Sequence, residues 1–423
     1  MSRFILPLAD RAATEAQRVG PKAANLARLA QAGLPTPGGF CITAEAYHRQ
    51  VRHLGLAAAI GAYAQADERT QRRLSVEIRL ALYQREVAPD LLAEILAAWR
   101  QQQKPAAARS SALIEDRADA SFAGQFESLL GLGEDAEFLT ALRACWAALW
   151  TTNARRAMER HGLDPSATAM AVLVQPVVAA RASGGGLSET ADGGMLLSAT
   201  WGLGATIAQG EVVPDRIVLS RHGFVRSNEA GRKGHRETCS HGAGTRAQAV
   251  PDQLQRAPCL RAGEATALGR LMRKAADVLG MPLEIEWALD EAGLKLLQAR
   301  PLRLQPAPVP DEIWLKHPGL NGHPAGIGWG SGRAVVINCE CELSRVAPGD
   351  ILVTRVAGPA LSHILPRVGG VVAELGGSTS HLASLARERG IPMVLGVNEA
   401  TRRIPDGAQV AVDGVAGIVR WLA

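Results

Sequence analysis

Gly376-Gly-Ser-Thr-Ser-His-Leu-Ala-Ser-Leu-Ala-Arg-Glu-Arg-Gly-Ile-Pro-Met-Val-Leu-Gly396 is the stretch from which this chain is best read. A strand is expected to end near Glu374, and Gly376 and Gly377 make a tight turn with exposed backbone. Ser378, Thr379 and Ser380 then offer capping hydroxyls for a helix that begins at or near His381 and runs to about Arg389. The unpaired N–H groups and the positive end of the helix dipole favour an anion at that point. A phosphoryl group on the His381 imidazole would be held there, and the same field favours the neutral, nucleophilic ring. Gly390 closes the helix, and Ile391-Pro392 leads into the next strand.

Around this helix the C-terminal part alternates apolar runs with turns. Ile351 to Thr354, Gly370 to Ala373, Met393 to Leu395, Gln409 to Val412 and Ile418 to Leu422 read as strands of a small, mostly β domain. Upstream, Pro301-Leu-Arg-Leu-Gln-Pro-Ala-Pro-Val-Pro310 carries four prolines in ten residues, the composition of an extended, semi-stiff spacer. The expected division is residues 1–303, a linker over 304–325, and a domain over 326–423. In the long first part, residues 22–32 read as a helix closed by Gly33 and Pro35, and 263–279 show one apolar helical face. Met170 to Val178, Pro282 to Leu289 and Gly293 to Gln298 read as strands, 181–200 as a loop or hairpin, and 226–250 as a polar surface loop. The fold class is α/β (α+β).

The bulk composition sets limits. With 423 residues, 47% hydrophobic and 21% charged, the chain can bury sizeable cores without disulfides or structural metals. Its 46 basic against 41 acidic residues give +5, a mild excess that suits a small anionic substrate. The basic pairs Arg232-Lys233 and Arg402-Arg403 are too short for a nucleic-acid footprint and read as solvated faces. The six cysteines form no zinc spacing, and all read as structural. No leader is expected at the N-terminus, and no run approaches the ~20 apolar residues of a membrane span. A cytoplasmic protein with neither a nucleic-acid nor a membrane partner is expected.

The 21-residue string from Gly376 to Gly396 resembles the phosphohistidine signature of the phosphoenolpyruvate-utilising family, which includes phosphoenolpyruvate synthase, pyruvate phosphate dikinase and rifampicin phosphotransferase. The flanks agree: Pro348-Gly-Asp-Ile-Leu-Val353 upstream, and Asp413-Gly414 with Gly417 downstream. The resemblance implies that His381 is the phosphorylated catalytic residue of a small swivelling β/β/α domain, with Gly376, Gly377, Thr379 and Ser380 supporting the phosphoryl loop.

A second resemblance covers nearly all of the first 303 residues and implies an ATP-grasp domain. Val19-Gly-Pro-Lys-Ala-Ala-Asn-Leu26 resembles its opening, so Lys22 is expected at ATP phosphates. Pro21 stands where glycine is usual, and proline is tolerated in a first helical turn. Ala108-Arg-Ser-Ser-Ala112, Glu115-Asp116 and Ala120-Ser-Phe-Ala-Gly-Gln125 form the next block. It implies ATP-binding roles for Arg109, whose guanidinium suits phosphate oxygens, and for Gly124 and Ser128. Gln175 matches the nucleotide-side glutamine. Trp201-Gly-Leu-Gly204 and Gln209-Gly-Glu-Val-Val-Pro-Asp215 match a glycine-rich loop and the turn after it, with Ala205 and Asn153 as departures. Glu284-Ile-Glu-Trp287 and Leu297-Gln-Ala-Arg-Pro301 are expected as adjacent strands directing Glu286, Gln298 and Arg300 into one cleft. Glu286 and Gln298 offer hard oxygen ligands for Mg²⁺, and Arg300 can neutralise developing charge.

The expected activity is that of an ATP- and Mg²⁺-dependent dikinase-type phosphotransferase. His381 takes the β-phosphoryl group of ATP, releases AMP, and passes the group to an unidentified small hydroxyl acceptor or a partner-bound substrate. The phosphohistidine block lies close to the end of the sequence, and the barrel that binds pyruvate in pyruvate-using relatives is not expected. A phosphohistidine carrier working with an acceptor subunit, and a phosphoenolpyruvate synthase-like protein lacking the pyruvate barrel, are the alternatives.

Overall fold

The computed structural model describes residues 3–115, 128–160, 162–190, 192–239, 244–303, Trp314, His317 and 319–422. Its contacts divide the chain into two compact units, each an assembly of non-contiguous segments. The first is Met1–Ala179 with Cys239–Arg246 and Lys295–Arg300; the second is Ala180–Thr238 with Ala247–Leu294 and Pro301–Ala423. The proline-rich stretch over 304–313 lies outside the described residues.

The first unit begins with β1 (Ile5–Pro7), α1 (Ala16–Gln31) and β2 (Phe40–Ile42). Four helices follow: α2 (Ala44–His53), α3 (Ala57–Tyr63), α4 (Glu68–Gln84) and α5 (Pro89–Gln101). Then come β3 (Ala106–Ala112), β4 (Ser128–Leu132), α6 (Asp135–Ala148), α7 (Thr152–Arg160) and β5 (Met170–Pro176). The sheet order is β1-β2-β5-β3-β4. Ile42, Val172 and Val174 pack with the helices α2 to α6 in one core, whereas Cys41 and Leu173 pack beneath α1 in another. This is the alternation of a sheet buried on both faces. Helix α1 is not continuous: Gly20 has φ 76°, and the helix restarts at Pro21. A Cβ at Gly20 would lie 2.4 Å from the Ser111 carbonyl oxygen, so only glycine lets α1 approach β3 this closely. Pro21 thereby falls in a first turn, where its missing N–H costs little.

In the second unit, β6 (Ala182–Leu187) and β7 (Met195–Trp201) form the hairpin expected in 181–200. They are followed by α8 (Ala205–Ala208), β8 (Asp215–Leu219), β9 (Val225–Glu229), β10 (His235–Cys239) and β11 (Thr245–Ala249), of which Cys239, Thr245 and Arg246 are counted with the first unit. The segment read as a polar loop is therefore largely extended. Strand β9 pairs antiparallel with β8, an edge strand held by backbone bonds that need no apolar side chains. Helices α9 (Asp252–Gln255) and α10 (Ala262–Leu279) precede β12 (Leu283–Asp290). The unit's first sheet runs β12-β6-β7-β8-β9 with α10 against one face: a Cβ at Gly186 would meet Met272 Sδ at 2.8 Å and Ile285 Cγ1 at 3.1 Å. Strand β13 (Gly293–Pro301) carries Lys295–Arg300, which belong to the first unit.

The C-terminal sheet adds three strands to those expected: β14 (Gly319–Asn321), β15 (His323–Gly326) and β16 (Trp329–Ile337). It continues with β17 (Ile351–Thr354), β18 (Gly370–Ala373), β19 (Met393–Leu395), β20 (Gln409–Asp413) and β21 (Ile418–Trp421), and its helices are α11 (His381–Glu388) and α12 (Ala400–Arg403). The order is β14-β21-β20-β16-β17-β18-β19-β15, with β16, β17, β18 and β19 parallel. Parallel β18 and β19 require a crossover, and α11 supplies it. Two sequence readings change here. Cys339 and Cys341 are joined by a disulfide, because a 3₁₀ turn over Glu340–Arg345 brings their Cα atoms to 5.4 Å. Lys233 is fully buried in an ion pair with Asp215 rather than solvated. Among the described residues no helix is long and apolar enough to cross a membrane.

Candidate active site

In the first unit the expected phosphate ligands gather around α1 and β3. Lys22, in the first turn after the break at Gly20, is only 6% exposed. Its Nζ donates to the Ser110 carbonyl at 2.9 Å and pairs with Glu115 Oε1 at 2.9 Å. Ser111 Oγ donates to the Val19 carbonyl at 2.7 Å and accepts from the Ala23 N–H at 3.3 Å, which fixes the loop against the strand.

Arg109 lies opposite Ser128 on β4 and Leu173 on β5, and Gln175 lies opposite Ala107. Residues directly opposed across a sheet share a face, as do residues two apart along a strand. Arg109, Ser128 and Gln175 therefore lie on the face that carries Leu173, which packs in the α1 core. Gln175 Nε2 donates to the Gly38 carbonyl at 3.4 Å. Asn25 Nδ2 donates to the Ala299 carbonyl at 3.2 Å, bringing the backbone between Gln298 and Arg300 to α1. Neither Asn25 nor Glu115 drew a role from the sequence, although both lie in the blocks that did. Gly124 lies outside the described residues.

The second unit holds Glu286 and the loop expected to carry phosphohistidine. Gly376 has φ 99°, and its N–H donates to the Val212 carbonyl at 3.0 Å. A Cβ at Gly377 would lie 2.4 Å from Pro214 Cγ, so a side chain there would push the loop off the Val213-Pro214-Asp215 turn. Ser378 Oγ donates to the Pro324 carbonyl, and the Ser378 carbonyl accepts from Arg387 Nη1. That nitrogen also donates to the Ala325 carbonyl at 3.1 Å. Ser380 is the N-cap of α11, its Oγ accepting from the Ala383 N–H at 3.2 Å, and His381 is the first helical residue, as expected. Thr379 differs from its neighbours: its Oγ1 is buried and has no hydrogen-bond partner among the described residues.

The turn under the loop is rigidly built. Asp215 pairs with Lys233 and accepts from the N–H groups of Gly231 at 2.8 Å and Cys259 at 2.6 Å. Arg232 donates to Asn398 Oδ1 and to the carbonyls of Glu374 at 3.1 Å and Gly396 at 3.5 Å, tying both ends of the loop region to the turn. The Arg232-Lys233 pair is thus part of the loop's support.

His323 sits behind the same loop; a Cβ at Gly377 would lie 3.9 Å from its Nδ1. Burial, reinforced by Arg216 and Arg232 and opposed by Asp215, depresses its pKa from the ordinary 6.5 to about 4. The fold therefore favours neutral His323, and the unfolded chain binds the extra proton between those values. The resulting stability is fully present above about 6.5 and is lost as pH falls toward about 4. His323→Gln, which cannot charge, is expected to lose roughly 2–3 kcal/mol less than wild type between pH 7 and 4. Urea unfolding at the two pH values measures this, and parallel losses would remove His323 from the account.

Glu286 lies on β12 opposite Gly185 of β6. A Cβ at Gly185 would come 2.6 Å from Thr379 Cβ, so the Gly376 to Ser380 loop rests on this part of the sheet, beside Glu286. Glu286 and His381 are thus brought into one region of the second unit, whereas Lys22, Arg109, Ser128, Gln175, Gln298 and Arg300 belong to the first. Among the described residues no three His, Cys, Asp or Glu side chains gather as a metal cage.

Residues 16–313 match the family model described as pyruvate phosphate dikinase, AMP/ATP-binding domain, and residues 346–417 match PEP-utilising enzyme, mobile domain. The chain is 32% identical over 416 residues to a probable phosphoenolpyruvate synthase of Methanothermobacter thermautotrophicus, covering 95% of this chain and 61% of that one. It is 31% identical over 475 residues to the phosphoenolpyruvate synthase of Aeropyrum pernix, covering 99% and 57%. For the phosphoenolpyruvate synthase of Escherichia coli the identity is 30% over 438 residues, covering 95% and 55%. The chain thus spans less than two thirds of the length of each of these relatives.

Proposed function

We propose that this chain, which belongs to the family of the pyruvate phosphate dikinase AMP/ATP-binding domain, is an ATP-dependent phosphotransferase of the dikinase type. His381 attacks the β-phosphorus of ATP. A nitrogen–phosphorus bond forms, the bond from that phosphorus to the AMP oxygen breaks, and AMP leaves. The γ-phosphate departs to water or to phosphate, and phosphohistidine passes its group to a small hydroxyl acceptor or to a substrate bound on a partner subunit. Lys22, Arg109, Gly124, Ser128, Gln175 and Arg300 bind the nucleotide; Gly376, Gly377, Thr379 and Ser380 hold the phosphoryl group. The functional modules divide after residue 303 as the sequence suggests, but the second begins at β14, so Gly319 to Ala325, expected as linker, belong to its sheet.

The observation that carries this reading is the Thr379 hydroxyl. Buried hydroxyls are rarely left unpaired, because the lost hydrogen bond is costly. The polar side chains on either side of Thr379 are satisfied, yet its Oγ1 has no partner among the described residues. It lies two residues before His381, at a helix N-terminus suited to an anion. A phosphoryl oxygen on His381 supplies the missing acceptor. Loss of one preorganised donor to a reacting oxyanion typically costs about 10²–10³ in rate. Thr379→Val is accordingly expected to slow formation of acid-labile phosphoprotein by about 10²-fold, with Thr379→Ser close to wild type. Labelling of Thr379→Val at the wild-type rate would contradict the assignment.

Glu286 is the Mg²⁺ ligand we propose in the second unit: its carboxylate is a hard oxygen donor, and this ion usually keeps waters and substrate phosphates as its remaining ligands. When bound, it neutralises phosphate charge. Even outer-shell changes typically cost 10–100-fold in metal affinity. Glu286→Gln is therefore expected to raise the Mg²⁺ concentration for half-maximal labelling by at least about tenfold. An unchanged Mg²⁺ requirement would remove Glu286 from the site.

A further inference from the structure

The Glu284 carboxylate is only 7% exposed, yet it is engaged by side chains from a helix 100 residues away. Ser384 Oγ donates to its Oε2 at 2.9 Å, and Arg387 Nη2 pairs with the same oxygen at 3.0 Å. Ser384 and Arg387 are each 2% exposed. A buried charge pair of this kind is a costly way to obtain stability alone, because desolvation offsets much of the attraction. Its geometry gives it a different use.

Ile285 faces α10, so Glu284 and Glu286 both lie on the opposite face of β12. On α11, His381, Ser384 and Arg387 are spaced three apart and share one helix face. Glu284 therefore grips the face that bears the nucleophile. One turn toward the helix N-terminus lies His381; two residues along the strand lies Glu286, opposite Gly185, on which Thr379 rests. The two steps correspond to about 4.5 Å of helix and about 6.8 Å of strand. Gly185 completes the arrangement: even a methyl group would collide with Thr379, while the strand itself would tolerate one because φ at Gly185 is not positive.

We propose that Glu284 and Gly185 form the seat that sets the position of α11 on the β6–β12 sheet, so that His381 is presented at the Glu286 end. Glu284 is a positioning residue: it acts through Ser384 and Arg387 and touches no reacting atom. This deepens the phosphotransferase reading above and rests on it for the phosphoryl step, but not for the seating itself.

The test uses the full chain as wild type, Glu284→Ala, Glu284→Asp and Gly185→Ala, with two readouts. One is the single-turnover rate of acid-labile labelling from β-labelled ATP at saturating ATP and Mg²⁺, alongside ATP affinity by calorimetry. The other is amide hydrogen exchange of Leu382 to Arg387. Glu284→Ala and Gly185→Ala are expected to slow labelling at least tenfold, change ATP affinity less than twofold, and speed exchange in α11 at least tenfold. Glu284→Asp is expected to recover most of both losses, which a merely structural defect would not produce. Should wild type take no label, the phosphotransferase reading fails, and exchange still decides the seat. Wild-type exchange in both Glu284→Ala and Gly185→Ala, or loss of ATP affinity in step with labelling, would overturn the proposal.

Discussion

Replacing His381 with alanine is expected to abolish phosphoprotein formation, lowering AMP release from ATP by at least about 10³-fold, the scale on which removal of a nucleophile acts. ATP affinity should change little, because the nucleotide ligands proposed in the first unit belong to a separately packed body. The fold should also survive. His381 occupies the first position of α11, where Ser380 supplies the cap and Leu382, Leu385 and Ala386 supply the buried contacts. Chemical quench at fixed ATP and Mg²⁺, with AMP resolved from ADP, measures the effect. Acid-labile phosphate on the alanine variant would place the carrier elsewhere.

Lys22→Met is expected to have the second large effect, on stability and on ATP affinity together. Lys22 and Glu115 are both nearly excluded from solvent and stand 2.9 Å apart. Removing the ammonium takes the Lys22 charge away from the buried Glu115 carboxylate, and breaking a buried pair from one side typically costs 3–5 kcal/mol. Loss of a charged donor to phosphate should weaken ATP binding by about 10–100-fold. The double variant Lys22→Met/Glu115→Leu separates the two, since replacing both partners by apolar groups is often neutral for stability. It should regain most of the denaturant midpoint and none of the ATP affinity. A single variant that unfolds at the wild-type midpoint would contradict the pairing. A double variant that binds ATP normally would remove Lys22 from the phosphate site.

Much of this architecture is legible in the chain because the decisive signals are local. Two glycines, three hydroxyl residues, a histidine and a closing Gly390 specify a turn, a capped helix and a stop within fifteen residues, and α11 begins where that pattern places it. Apolar runs locate β17 to β21, and helical spacing locates α10, because periodicity reports burial directly. What escapes such reading depends on partners far along the chain. Strands β9 to β11 are polar, so nothing in their composition distinguishes a paired edge from a loop. Lys233 looks like a surface cation beside Arg232 until Asp215 is folded against it. Glu284 stands two residues from the carboxylate that the sequence singles out, and only the docked helix reveals what it grips. Gly185 is one of three consecutive glycines, and its special position becomes visible when Thr379 occupies the space above it.

The most direct test of the central claim is positional. Wild-type protein is incubated with Mg²⁺ and ATP labelled at either the β- or the γ-phosphate, and acid-labile label on the protein is counted against released AMP. A phosphotransferase working through His381 in the dikinase manner retains the β label, releases one AMP per label bound, and leaves the γ label in solution as phosphate or pyrophosphate. Retention of the γ label with release of ADP, or absence of any acid-labile label from protein that binds ATP, would contradict it.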